Sequence, residues 1–158
     1  MAGLIKGGKA LVKGLLELAT DADMANLDPR RMYHGTSAQI EGFDPARFGQ
    51  RDKGLLGLGV NMTSSPPMAS QYATTAARRW GGDPNVMPLF SPKGNYKQFS
   101  YADKQRISKT ASQADIARMT QEMIDQGYTG AELLDANGDI VERVVFDPSQ
   151  VKSAMGHK

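Results

Sequence analysis

The sequence contains no cysteine and only two histidines among its 158 residues. The lack of cysteine excludes a disulfide framework, a thiol nucleophile and a zinc–thiolate centre, and two histidines supply little material for any other metal site. No hydrophobic run approaches the roughly 18 residues that a membrane-spanning helix requires. A hydrophobic fraction of 40% and a charged fraction of 23% are ordinary for a globular protein, which excludes wholesale disorder.

A large excess of charge is also missing, because 19 basic residues face 17 acidic ones. Residues 1–19 hold three lysines and one glutamate, so the rest of the chain carries 16 residues of each sign. The sequence therefore lacks the globally basic character of a nucleic-acid-binding protein. At this length we expect one domain with an adequate hydrophobic core.

Residues 4–18 have the periodicity of an amphipathic helix, with three lysines and Glu17 on one narrow face and leucines on the other. Because lysines interrupt the apolar stretch, we reject a signal peptide and expect a cytoplasmic protein. We expect residues 1–30 to comprise this helix and a linker, and the helix to dock on the domain or on a partner. Contact of residues 1–19 with a membrane surface is the alternative.

Residues 31–158 predict an α+β domain, because strands and helices are mixed without regular alternation. Strands are expected over 31–36, 55–63, 86–90, 128–134 and 140–146, with an Asn-Gly hairpin turn before the last one. Helices are expected over 66–80, between serine caps and Gly81, and over 113–126 after Ser112. Residues 91–112 are expected to be irregular. Four aromatic residues are expected in the core, namely Phe43, Trp80, Phe90 and Phe146.

Standard catalytic motifs are absent from the sequence. The glycine cluster at 54–59 lacks the Gly-Lys-Ser/Thr end of a P-loop and does not open a helix, and there is no nucleophile elbow. Three segments remain that carry polar residues of chemical interest. They are Tyr33-His34-Gly35-Thr36, then Gly57-Leu58-Gly59-Val60-Asn61-Met62-Thr63 leading to Tyr72, and Val141-Glu142-Arg143-Val144-Val145-Phe146-Asp147.

In this order and spacing, over about residues 31–154, the three segments resemble the ADP-ribosyltransferase superfamily, specifically its diphtheria-toxin and poly(ADP-ribose) polymerase branch. Residues 144–153 are similar to the ends of small phage and prophage domains of this kind, which implies a bacterial or phage-delivered protein. The resemblance implies a split β-sandwich of two small, roughly orthogonal sheets with flanking helices. It also implies that NAD binds in the cleft between the sheets as co-substrate, without a metal.

The resemblance further implies roles for individual residues. His34 matches the histidine that bonds the adenosine ribose, and Gly35 matches the glycine whose backbone holds the nicotinamide amide. Thr36 occupies the neighbouring hydroxyl position. Tyr72 matches the tyrosine that stacks on nicotinamide, and Glu142 matches the catalytic glutamate.

Two positions depart from the family pattern. Asn61, eleven residues before Tyr72, stands where the family has a second tyrosine, and Ala69 stands where it has a serine. The amide of Asn61 can hydrogen-bond a ligand but cannot stack as a tyrosine does, and we count Asn61 and Thr63 among the NAD-binding candidates. Apart from the resemblance, Tyr72 has the ordinary interpretation of a core residue and Glu142 that of a solvent-facing strand residue.

The resemblance implies a toxin-like mono-ADP-ribosyltransferase that moves ADP-ribose from NAD to a macromolecule, preferably a protein, with release of nicotinamide. Cleavage of a glycosidic bond develops positive charge on the sugar, and one carboxylate beneath the ring stabilises that charge. Two alternatives stay open. An NAD glycohydrolase would use water as the acceptor, and a catalytically degenerate phage-type module would only bind partners or virions, as Asn61 and Ala69 favour.

Overall fold

The computed structural model describes residues 5–6, 9–10, 14–37, 42–43 and 54–157. Three helices lie in these ranges: α1 (Pro66–Trp80), α2 (Tyr101–Thr110) and α3 (Gln113–Asp125). The strands are β1 (Ile5–Lys6), β2 (Lys9–Ala10), β3 (Gly14–Leu15), β4 (Leu27–Thr36), β5 (Gly42–Phe43), β6 (Val60–Thr63), β7 (Asn85–Pro92), β8 (Tyr96–Phe99), β9 (Gly130–Leu134), β10 (Ile140–Val145) and β11 (Lys152–Ser153).

Seven strands form one sheet in the order β11-β7-β4-β6-β10-β9-β8. Neighbouring strands are antiparallel except β8 and β9, which are parallel. Among the described residues, β4 and β6 share one registered pair, Tyr33 with Thr63. We call this narrow junction the seam, because longer ladders lie on both sides of it. Hydrogen bonds run across the seam, and the expected division into two orthogonal sheets stays a prediction.

Both faces of the sheet are covered near β10. One cluster packs α2 and α3 on Val144 and its neighbours, and the other cluster contains Val145. Since successive side chains of a strand point to opposite faces, β10 is buried on both sides. The first cluster comprises Leu56, Leu58, Ile107, Ile116, Met123, Ala131, Leu133, Val144 and Phe146. The second comprises Met32, Phe43, Val60, Met62, Leu89, Val145 and Val151.

The structure confirms the two predicted helices and the predicted hairpin. Ser65 caps α1 by accepting a hydrogen bond from the Met68 N–H at 3.3 Å, and α1 ends at Gly81 with φ of 81°. Ser112 caps α3 in a capping box with Asp115. Strands β9 and β10 pair as the Asn-Gly signal predicts. The confirmed elements are thus those whose ends carry local caps and turns.

The predicted amphipathic helix over residues 4–18 is wrong where the structure describes that segment, because β1, β2 and β3 are strands. Three glycines each disfavour a helix by about 1 kcal/mol relative to alanine. Lys6 pairs with Lys9 across a Gly-Gly dipeptide, which is favoured in hairpin turns. The other positions of the segment lie outside the described residues. Leu18 forms an isolated parallel bridge to Ser153 of β11. A domain boundary after residue 30 stays a prediction.

The expectation of irregular structure over residues 91–112 is wrong, because β8 and α2 lie there. Helix α2 begins with a capping box in which Ser100 and Asp103 exchange hydrogen bonds, a signal readable from the sequence. The prediction that Trp80 lies in the core is also wrong, because this last residue of α1 is 43% exposed. The other three aromatic residues expected in the core are buried. No helix in the described ranges is long and apolar enough to cross a membrane.

Arg143 of β10 lies in a buried ionic network on the face opposite its neighbour Glu142. Its guanidinium donates to Glu132 Oε2 at 3.0 and 3.3 Å, to Asp28 Oδ2 at 3.0 Å and to Ser91 Oγ at 2.7 Å. It also stacks 4.3 Å from the ring centroid of Tyr96. Because removing one member of a buried ion pair leaves an uncompensated charge, this network fixes the position of β10.

The Tyr96 hydroxyl donates to the Pro92 carbonyl at 2.6 Å, and burial raises the pKa of Tyr96 to about 12. A tyrosine in the unfolded chain ionises at about pH 10. The stability that Tyr96 contributes is therefore complete below about pH 10 and is lost as the pH rises towards its folded pKa. We expect the free energy of unfolding of Y96F to fall less steeply than that of the wild type in this window, as measured by chemical denaturation.

The control for this prediction is Y101F, because Tyr101 is 53% exposed. Its alkaline profile should match the wild type. Equal slopes for Y96F and the wild type would contradict the prediction, as would complete ionisation of the folded protein's tyrosines near pH 10 in an absorbance titration.

Candidate active site

The predicted site residues other than Tyr72 lie on three neighbouring strands at the seam. Thr63 of β6 pairs with Tyr33 of β4 on one side and with Glu142 of β10 on the other. Adjacent strands lie about 4.8 Å apart, so the backbones of β4 and β10 are about 10 Å apart at this row. His34 follows Tyr33 directly. The strands of the predicted histidine and the predicted glutamate are therefore separated by one strand. Because side chains alternate along β4, the His34 ring starts from the face opposite to Tyr33 and Glu142, where it packs on Phe43 of the second cluster.

The carboxylate of Glu142 is held by side chains from two helices. The Tyr72 hydroxyl of α1 donates to Oε1 at 3.2 Å. The Lys104 ammonium of α2 donates to Oε2 at 2.8 Å and to Oε1 at 3.1 Å. The Glu142 side chain is 17% exposed, and the β9–β10 ladder shifts register just before it, an irregularity that re-aims side chains. Glu142 is thus a partly buried acid directed at α1 and α2, and the solvent-facing interpretation is wrong.

Tyr72 lies at the surface of α1 beside this carboxylate. It is 49% exposed, so the interpretation of Tyr72 as a core residue is wrong. Its hydroxyl bond to Glu142 fixes one end of the ring, while an exposed ring presents an aromatic face for stacking. The two residues with the sharpest predicted roles are therefore in direct contact.

His34 is tied to β6 by its ring. Its Nδ1 lies 2.6 Å from the carbonyl oxygen of Asn61, and the ring packs edge-to-face on Phe43 at 5.3 Å between centroids. A carbonyl oxygen only accepts, so Nδ1 carries a proton in this contact. Asn61 thus contacts His34 through its backbone. Thr36 pairs with Asn85 at the end of β4.

Gly35 is the point where α1 lies against β4. A Cβ at this position would stand 2.0 Å from the Ala69 carbonyl oxygen and 3.0 Å from the Ala73 nitrogen. Both alanines are fully buried. Only glycine permits this approach of helix to strand, and the approach places Tyr72 beside the seam.

Thr63 is buried and occupied with internal hydrogen bonds. Its hydroxyl donates to the Val141 carbonyl at 3.0 Å and accepts from the Ser65 N–H at 3.2 Å. It therefore ties β10 to the first turn of α1, the two elements that carry Glu142 and Tyr72.

Sequence reasoning missed Lys104, because it left residues 91–112 without a helix. The capping box at Ser100 and Asp103 is the signal that places Lys104 on the first turns of α2. A separate polar cleft lies on the Arg143 face of the sheet, lined in part by Asp28, Tyr96 and Glu132. None of the predicted site residues lines that cleft.

The family described as ADP-Ribosyltransferase in polyvalent proteins matches residues 25–158, well over half of the chain. The chain belongs to this ADP-ribosyltransferase family. The match confirms the resemblance seen in the three sequence segments, and it supports ADP-ribosylation in general. No curated protein and no solved structure matches the chain.

The described part of the ADP-ribosyltransferase domain holds no group of three or more His, Asp or Glu side chains placed to bind a metal ion. It does place an exposed aromatic ring in contact with a held carboxylate. These two groups fit NAD as a co-substrate, since they offer a stacking face and an anion.

The contact of Gly35 with α1 gives a prediction about stability. We expect G35A to lower the free energy of unfolding of the ADP-ribosyltransferase domain by about 1–3 kcal/mol, or to prevent folding, because the added methyl group overlaps backbone atoms. The measurement is denaturant unfolding. S70A, on the exposed side of α1, should change stability by less than about 0.5 kcal/mol. A G35A protein as stable as the S70A control would contradict the prediction.

Proposed function

We propose that this chain is a mono-ADP-ribosyltransferase that transfers ADP-ribose from NAD to a protein acceptor and releases nicotinamide. The observation that carries the proposal is the Glu142 carboxylate, which Tyr72 and Lys104 hold beside the exposed Tyr72 ring. Family membership supports the general chemistry. The use of NAD by this chain, the protein acceptor and the transfer of a single unit are parts of the proposal.

The role of Glu142 follows from the charge that develops in the reaction. When the bond between the nicotinamide nitrogen and the ribose C1′ breaks, nicotinamide leaves with the electron pair and positive charge builds up on the sugar. A preorganised carboxylate next to C1′ stabilises that charge by about 3 kcal/mol. The acceptor then forms its bond to C1′, and its proton passes to Glu142 or to water.

The neighbouring side chains suit the rest of the dinucleotide. The Tyr72 ring, anchored to Glu142 at its hydroxyl, stacks on nicotinamide and so brings C1′ close to the carboxylate. We assign His34 to the adenosine ribose, with its ring oriented by the contact of Nδ1 with the Asn61 carbonyl. We assign Gly35 and Thr36 to the nicotinamide amide and the adjoining hydroxyl position.

Asn61 and Thr63 support this arrangement from β6. The half-buried Asn61 is close enough to the histidine to offer its amide to the ligand. The Thr63 hydroxyl is hydrogen-bonded to the backbone of Val141 and Ser65. These bonds favour a role in holding β10 and α1 together over direct contact with NAD.

An NAD glycohydrolase is the second candidate, favoured by the 49% exposure of Tyr72, because water has access to the same surface. A binding module without catalysis is the third, favoured by the buried Ala69 in place of a serine. Incubation with labelled NAD and a bacterial lysate separates the three. A labelled protein indicates transfer, and nicotinamide release without a labelled protein indicates hydrolysis. If nicotinamide is not released and NAD does not shift the thermal unfolding, the result indicates the binding module.

Replacement of the acid tests the central assignment. We expect E142Q to lower the rate of nicotinamide release by about 100-fold or more, because a neutral amide does not stabilise the sugar cation. Thermal unfolding should change little, since the substitution is nearly isosteric and the ion pair is partly exposed. E122Q, at an exposed glutamate of α3, is the matched control and should keep the wild-type rate. Wild-type turnover in E142Q would refute a catalytic role.

The stacking role of Tyr72 is tested by two substitutions. We expect Y72A to raise the KM for NAD about tenfold, because loss of an aromatic stack costs about 1.4 kcal/mol. Y72F keeps the ring, and its KM should stay within about threefold of the wild-type value. Q71A, at an exposed position of α1, is the control. Equal KM values for Y72A and Y72F would argue against stacking.

A further inference from the structure

We propose that Lys104 is a positioning residue that fixes the orientation of the Glu142 carboxylate, an inference that rests on the proposed function. The Lys104 ammonium donates to both carboxylate oxygens, at 2.8 and 3.1 Å. The two side chains are 27% and 17% exposed. A charge-assisted contact to both oxygens, partly withdrawn from solvent, restricts rotation of the carboxylate more than a single exposed bond does.

Helix α2 gives Lys104 a fixed starting point. The capping box of Ser100 and Asp103 stabilises the N-terminus of α2, and its cap Ser100 lies one turn before Lys104. One turn after Lys104, the side chain of Ile107 is buried in the core. Asp103 is engaged with Arg106 at 3.2 Å and with its own cap. Lys104 therefore extends from a backbone held at both ends, and its ionic partner is Glu142.

The hydrogen bonds also determine which oxygen is available to a substrate. Oε1 accepts from both Tyr72 and Lys104, whereas Oε2 accepts from Lys104. A carboxylate offers about four acceptor positions. The two helices thus occupy Oε1 and leave capacity on Oε2, and we assign Oε2 as the oxygen that a ribose hydroxyl of NAD contacts.

The orienting effect of Lys104 and the effect of its charge change the reaction rate in opposite directions. The direction of the rate change on removal of Lys104 therefore tests the inference. An ammonium beside Glu142 offsets part of the negative charge that stabilises the sugar cation, so a purely electrostatic effect would make removal of Lys104 accelerate the reaction. Displacement of a catalytic group by about 1 Å lowers the reaction rate about 100-fold. We expect orientation to dominate because both Glu142 oxygens depend on Lys104.

The experiment compares K104M, K104R and K109M in the full chain. We expect K104M, which keeps the length of the side chain without its charge, to lower kcat for nicotinamide release about 10- to 100-fold, with a KM for NAD within about threefold of wild type. K104R should recover at least about tenfold of that loss, because a guanidinium donates to both oxygens. K109M, at an exposed position of the same helix, should equal wild type. Thermal unfolding checks that all variants are folded.

An unchanged or increased kcat in K104M, with an active wild-type chain, would overturn the positioning role and leave the proposed function intact. An inactive wild-type chain would overturn both, since a positioning role requires the reaction. The contact itself has a separate readout in the ¹⁵N resonance of the Lys104 ammonium. That resonance should shift in E142Q and stay in place in E122Q, and an unshifted resonance in both variants would exclude the ion pair.

Discussion

Tyr33, Thr63 and Glu142 stand opposite one another on β4, β6 and β10, and the arrangement of the site depends on this row. The row places the strand of His34 within one strand of the acid. The Thr63 hydroxyl strengthens this arrangement, because it hydrogen-bonds the backbone of β10 and the backbone of the N-cap of α1. The helix that carries Tyr72 therefore starts from the same point that fixes Glu142.

The alternation of side chains along β10 divides two tasks between adjacent residues. Glu142 points towards α1 and α2, whereas Arg143 enters the buried ionic network with Glu132 and Asp28 on the other face. A shift of register by one residue would place Glu142 beside the carboxylates of Glu132 and Asp28, and Arg143 beside Lys104. The energetic cost of leaving these charges unpaired therefore protects the register on which the position of the acid depends.

Prediction from the sequence succeeded where the signal is local. Caps at Ser65 and Ser112 and the Asn-Gly turn predicted α1, α3 and the β9–β10 hairpin, because caps and turns act within a few residues. The same logic, applied to Ser100 and Asp103, would have found α2. The helix that the amphipathic pattern predicts near the N-terminus is wrong where the structure describes that segment, because three glycines disfavour a helix there. Pairing with β5 and β11 further decided that segment.

The sequence by itself determined the residue types of the site and the local elements that carry them, together with the family resemblance of its three segments. Only the tertiary structure decided which side chains hold the acid. Tyr72 lies 70 residues from Glu142 in the chain, and Lys104 lies 38 residues from it. Contacts over such separations depend on the order of strands and the packing of helices, which no local spacing specifies. For the same reason the sequence could mark Gly35 as a candidate for binding, whereas only the fold shows that it leaves room for α1.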